Sequence, residues 1–144
     1  MLDLIRNGEN ISRADVKRMT GFSMNTVLNG VEELLKRGWI QETGIGDSQG
    51  GRRPTWLAVN PDGGYFLGAE FYAEHVHTVI LNLQGEKIFG IKRPLGRKRD
   101  AQAILGSVKA SIGEALEFLG ERRDRIFGLG MGVPETINRQ TGVS

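Results

Sequence analysis

The chain has 144 residues, which allows one ordinary domain or two small ones. Its 39% hydrophobic and 25% charged residues are the composition of a folded soluble protein, and the lack of cysteine excludes disulfides, thiolate metal sites and cysteine nucleophiles. Residues 1–58 hold 8 Lys/Arg against 7 Asp/Glu and residues 59–144 hold 11 against 10, so any nucleic-acid binding must rest on placed cations rather than bulk charge. No apolar run approaches the roughly 20 residues that span a bilayer. No basic-then-apolar leader opens the chain, so a cytoplasmic location is expected.

Up to Arg37 the apolar residues recur at helical spacing; beyond Trp39 they mostly alternate, with a helical interruption near 101–119. Met1 to Arg6 reads as the tail of a helix stopped at Asn7-Gly8. Ser12-Arg13-Ala14-Asp15 reads as a capping box, with Ile11 ahead of it placed to staple onto Val16. That helix ends near Thr20-Gly21. Ser23 then caps a second helix that runs to about Arg37 and stops at Gly38. Val27, Val31, Leu34 and Leu35 share its apolar face. Trp39–Thr43 and Pro54–Val59 read as strands flanking a Gly-rich stretch. Helix, tight turn, longer helix and hairpin together predict a winged helix-turn-helix over residues 1–60.

On the second helix Asn25, Asn29 and Lys36 fall opposite Val27 and Leu34. Base contacts come from the N-terminal part of a recognition helix, which selects Asn25 and Asn29, because an asparagine amide pairs with N6 and N7 of adenine. Ser23, Met24 and Thr26 occupy the same turns; Ser23 can act as a cap alone, and Met24 can be half core. Solvated polar positions are the plain alternative for both asparagines. Arg52 and Arg53, after Gly50-Gly51 and before Pro54, put two guanidiniums where phosphate oxygens or a narrow minor groove would meet them.

Tyr65–Phe71, Val76–Leu83 and Lys87–Pro94 read as three strands joined by tight connections. Asp100 can cap a helix whose Ile104, Leu105, Val108, Ile112, Ala115, Leu116 and Leu119 make one apolar stripe, and Ile126–Val133 reads as a buried strand. Gly128-x-Gly130 fails as a dinucleotide fingerprint, since its third glycine would fall on Val133. His75 and His77 share a strand face without a third ligand nearby and read as solvated rather than metal-binding. Lys92-Arg93 and Arg97-Lys98-Arg99 read as a solvated basic loop around Pro94.

Ile11–Asp15, Thr20–Ser23, Thr26-Val27, Gly38 and Gly50-Gly51-Arg52-Arg53-Pro54 together resemble the DNA-binding domain of ROK-family transcriptional regulators. Asn60–Tyr65, Leu83-Gln84-Gly85-Glu86 and Gly128–Pro134 are similar to the family's domain junction, its glycine turn and its glycine-rich strand. The resemblance implies an α+β / α/β chain: a winged helix-turn-helix over 1–60, then an incomplete actin-like or ribonuclease-H-like lobe over 61–144 that opens βββαβ. It implies a regulator of carbohydrate metabolism, double-stranded DNA as partner, a homodimer and a sugar or sugar-phosphate effector. It implies no membrane, cofactor, metal or catalytic residue.

The phosphate loop of the family's sugar kinases is replaced here by Glu70-Phe71-Tyr72-Ala73-Glu74, where bulky side chains and Glu74 disfavour a nucleotide. The chain reads as truncated, since the family's catalytic, sugar-contacting and zinc-binding regions would lie beyond Ser144. A degenerate sugar kinase, a two-metal nuclease and an inert fragment remain as alternative readings. The nuclease would need clustered carboxylates, and Glu70 stands alone on its strand.

Overall fold

The computed structural model describes residues 1–46, 53–72, 74–96, 100–134 and 140–141. The chain is α+β and divides into two compact units, Met1–Gly64 with Asn82–Gly85, and Tyr65–Leu81 with Glu86–Ser144.

The first unit contains α1 (Leu2–Asn7), β1 (Ile11–Ser12), α2 (Arg13–Thr20), α3 (Met24–Lys36), β2 (Ile40–Ile45) and β3 (Thr55–Val59). Its core joins one face of each element: Ile5, Ile11, Val16, Val27, Val31, Ile40, Leu57 and Val59, closed by Leu83. The apolar face expected of α3 is the face it buries, and Ile11 and Val16 lie in the same cluster. Gly38 takes φ +69 after α3. Its N–H donates to the Leu35 carbonyl (2.9 Å) and the Trp39 N–H to the Leu34 carbonyl (3.0 Å). This paired closure satisfies the last helical carbonyls and needs a left-handed residue. Asn60 then donates through its side chain to the Gly38 carbonyl at 2.8 Å and through its backbone N–H to the Trp39 carbonyl at 2.9 Å.

β1 does not appear in the sequence-based reading. It pairs antiparallel with β3, Ile11 opposite Leu57, so that β3 lies at the centre of a three-stranded sheet of order β1-β3-β2. β2 extends to Ile45, further than the periodicity predicts, through an irregularity between Glu42 and Gly44.

The second unit contains β4 (Tyr65–Phe71), β5 (His75–Asn82, its last residue counted with the first unit), β6 (Lys87–Pro94), α4 (Ala101–Leu119) and β7 (Ile126–Gly132). The sheet order is β6-β5-β4-β7, with β7 parallel to β4. Tyr65, Leu67, Ile80, Ala115 and Leu119 form its buried cluster between sheet and helix. Asp100 caps α4 by accepting from the Ala103 N–H at 2.8 Å, as its position predicts.

Two expectations are corrected here. β7 is not a buried strand: Phe127, Leu129 and Met131 are 46–52% exposed. It is the edge of the sheet, and α4 packs over β4 and β6 instead, so apolar content alone misplaces it. Leu105 is exposed rather than part of the buried stripe of α4, while the polar Ser111, between Val108 and Ala115 on the buried face, is fully buried. The Ser111 hydroxyl donates to the equally buried Thr78 Oγ1 at 2.7 Å. Ser111→Ala leaves Thr78 without this partner, and the loss expected in urea unfolding is about 1–3 kcal/mol. Adding Thr78→Val should recover part of that loss, because both hydroxyls are then gone.

Candidate nucleic-acid interface

The Ser12 Oγ accepts from the Asp15 N–H at 3.2 Å, and the Ser12 N–H donates to the Asp15 carboxylate at 3.1 Å. This reciprocal cap starts α2 directly from β1. At its other end Gly21, at φ +72, donates to the Lys17 carbonyl and turns the chain into Phe22-Ser23. Ser23 Oγ accepts from the Thr26 N–H at 3.1 Å and lies 2.8 Å from the Thr26 hydroxyl. Ser23 and Thr26 therefore serve the helix start first.

Asn25 and Asn29 are exposed on α3, on the face turned from Val27 and Val31, with Lys36 further along the same face. Met24 is 39% exposed, so more than half of its surface is covered. Arg53 is exposed at the root of the β2–β3 loop, where Gly46 donates to the Pro54 carbonyl at 2.8 Å. Arg52 lies outside the described residues, as do Gly50, Gly51 and the whole basic stretch Arg97-Lys98-Arg99.

Met24 and Arg53 line one open cleft of about 500 Å³, together with Arg13, Leu28, Glu42 and Pro54. The Arg13 guanidinium donates to Glu42 at 2.7 Å across the cleft. Arg13, Leu28 and Glu42 escape sequence reasoning because only the pairing of β1 with β3 brings α2 beside β2. Leu28 carried a local signal, an apolar residue four positions after Met24. Glu33 further along α3 is paired with Arg37 at 2.6 Å, which moderates its charge beside the helix.

In the second unit the strand carrying Glu70 faces a partner: His77 Nδ1 lies 3.6 Å from Glu70 Oε1, and the rings of Tyr72 and His75 are 5.1 Å apart. A hydrogen bond to the Glu70 carboxylate pushes the Tyr72 phenol above its ordinary range. His75 and His77 are thus half-buried and partnered rather than fully solvated. Among the described residues no group of three His, Cys, Asp or Glu could hold a metal ion, and no helix is long and apolar enough to cross a membrane.

The chain is 31% identical over 142 residues to a xylose repressor of Caldicellulosiruptor bescii, covering 99% of this chain and 36% of that one. It is 35% identical over 83 residues to a xylose repressor of Bacillus subtilis, covering 58% and 21% respectively. The crystal structure of a ROK family transcriptional regulator, a homolog of the E. coli MLC protein, shares the fold with a TM-score of 0.70 at 22% identity, over 98% of this chain and 36% of that one. These likenesses support the resemblance to ROK-family regulators. No family model matches the chain. It spans about a third (36%) of the length of the first of these xylose repressors.

The α2 cap is also an acid-sensitive joint. The Ser12 hydroxyl bond is the main cause that holds the Asp15 carboxyl below its ordinary 3.8; burial opposes it, and the Ser12 backbone N–H and then the Arg18 cation add to the lowering. A carboxyl lowered on folding stabilises above its unfolded value and loses that contribution as pH falls through the folded one. Acid titration should therefore erode α2 stability below pH 3.8. Asp15→Asn should flatten that part of the stability–pH curve, and Ser12→Ala should cost about 1 kcal/mol at neutral pH.

Proposed function

We propose that the first unit is a winged helix-turn-helix that binds double-stranded DNA, within a sequence-specific transcriptional repressor of carbohydrate metabolism. Residues 1–60 form the DNA-binding domain in this reading, and residues 61–144 open the actin-like lobe. α3 is the recognition helix, α2 crosses the phosphate backbone, and β2 with β3 forms the wing. The observation that carries it is the shared cleft: the first turns of α3 and the Arg53 guanidinium line one concave surface. A duplex can meet both at once, with the cation on phosphate and the helix at base edges.

Asn25 and Asn29 are the base-reading residues. Ser23 and Thr26 hold the helix N-terminus that approaches the groove, and Met24 sits beside it. Arg52 and Arg53 grip the adjoining backbone. Two of the relatives are named xylose repressors, which supports a pentose or related sugar as the effector of the longer protein. A homodimer presenting two copies of α3 fits a two-fold symmetric site.

The reading is non-enzymatic. A nucleotide phosphate at the β4–β5 hairpin would meet Glu70 and Glu74, and two carboxylates oppose it. That charge disfavours the kinase reading, and the nuclease reading finds only Glu70 on its strand where it needs a cluster of carboxylates.

The test is binding to duplex selected from a random pool, measured across a salt series. Replacing Arg52 and Arg53 by Ala together should weaken binding and lower the slope of log K against log salt by about 1.8, since each phosphate contact contributes about 0.9. An unchanged slope overturns the wing's role, and failure to select any duplex overturns DNA binding itself.

A further inference from the structure

Among the described residues of Met1–Gly64, the large apolar side chains left most open to solvent are Met19, Phe22, Met24, Leu28 and Ile45. All but Ile45 lie at the end of α2, in the turn, or in the first two turns of α3. Scattered exposed leucines need no explanation, but a group confined to one end of a helix pair does. Leu28 is the most informative member. It is 43% exposed, although Val27 and Val31 on the same helix are at 0% and complete the core contact. Its position four residues after Met24 puts both on the strip between the buried face and the asparagine face. That strip lines the cleft on whose rim Arg53 stands.

We infer that Leu28 is a specificity-determining residue that packs against the 5-methyl group of a thymine, so that α3 reads A·T base pairs with two kinds of contact. This rests on the DNA-binding reading above and deepens it. The asparagine amides match the N7 acceptor and N6 donor of adenine, while an apolar side chain matches the only apolar group on a major-groove base edge, the thymine methyl. The chemistry of the strip and of the face beside it therefore converge on one base pair. A cation on the rim points to a polyanion rather than to an apolar protein surface as the occupant of the cleft.

The experiment uses the duplex selected above, with each thymine replaced singly by deoxyuridine, which removes the methyl and keeps the pairing edge. The intact chain should lose about four-fold in affinity at one or two positions, the value of burying one methyl group. Leu28→Ala should abolish that difference at those positions while keeping a cooperative thermal melt. Leu28→Met, which retains apolar reach, should restore it. A selected duplex that tolerates every uracil, or a uracil response that survives Leu28→Ala, overturns the inference while leaving DNA binding intact. Loss of self-association in Leu28→Ala with an unaltered uracil response also overturns it, and assigns the patch to a second copy. A chain that selects no duplex fails at the earlier reading instead.

Discussion

Strand β3 holds the first unit in register, and Leu57 is its pivot. That side chain is 1% exposed, and its residue pairs with Ile11 on one side and Glu42 on the other. One short ladder therefore fixes the start of α2 and the hairpin arm against the same strand. Ser12 is at once the last residue of β1 and the N-cap of α2, so helix and strand leave no slack between them. A slip of one residue in β3 would put Trp56 or Ala58 where Leu57 is buried, because strand side chains alternate faces. The Arg13–Glu42 contact and the cleft both descend from this register. The ion pair itself is half open to water, and pairs of that kind contribute at most about 1 kcal/mol. It reports the alignment more than it creates it.

The second requirement is that α3 be held at both ends while its outer face stays free. The start is tied by Ser23 and Thr26 and the finish by the Gly38 closure, which Asn60 then ties to the end of β3. The turn after Asn60 presses so close that a Cβ on Gly63 would fall 2.4 Å from the Gly38 carbonyl oxygen. The two glycines act differently: Gly38 supplies a backbone conformation, Gly63 supplies clearance. With its ends fixed, α3 keeps Asn25 and Asn29 outward, and among the described residues no protein group takes up their amides. Exposed amides with no internal partner suit the proposed base reading.

What could be read from the sequence was local. The Ser12–Asp15 cap, the left-handed Gly21 and Gly38, the buried face of α3 and the Asp100 cap each depend on residues within a few positions, and the structure has all of them. What could not be read depended on partners far away. β1 is too short to carry a period, and its existence rests on Leu57 and Trp56. Arg13 and Glu42 are separated by 29 positions, with no local cue linking them. Ser111 is polar, so a search for apolar residues passes over it, yet it lies on the buried face of α4 and its hydroxyl finds Thr78 on the sheet. β7 exposes the limit of composition most directly. An apolar run of alternating glycines suits a strand covered on both faces as well as an edge strand, and only the placement of α4 separates the two.

The two units also differ in what they offer to a phosphate. At the β4–β5 hairpin, Glu70 and Glu74 bring negative charge, and the Glu70 carboxylate is already engaged by Tyr72 and faced by His77. At the cleft of the first unit the balance is reversed. Glu42 is matched by Arg13, which leaves the charge of Arg53 uncompensated by any described carboxylate of the cleft. Both units have nearly even net charge in the sequence, so bulk charge cannot distinguish them. Pairing does: where each carboxylate already has its cation, a neighbouring arginine is available to a polyanion, and where carboxylates outnumber cations a phosphate is turned away. That difference in local pairing, more than the fold of either unit, is what supports the proposed nucleic-acid binding by the helices and the arm.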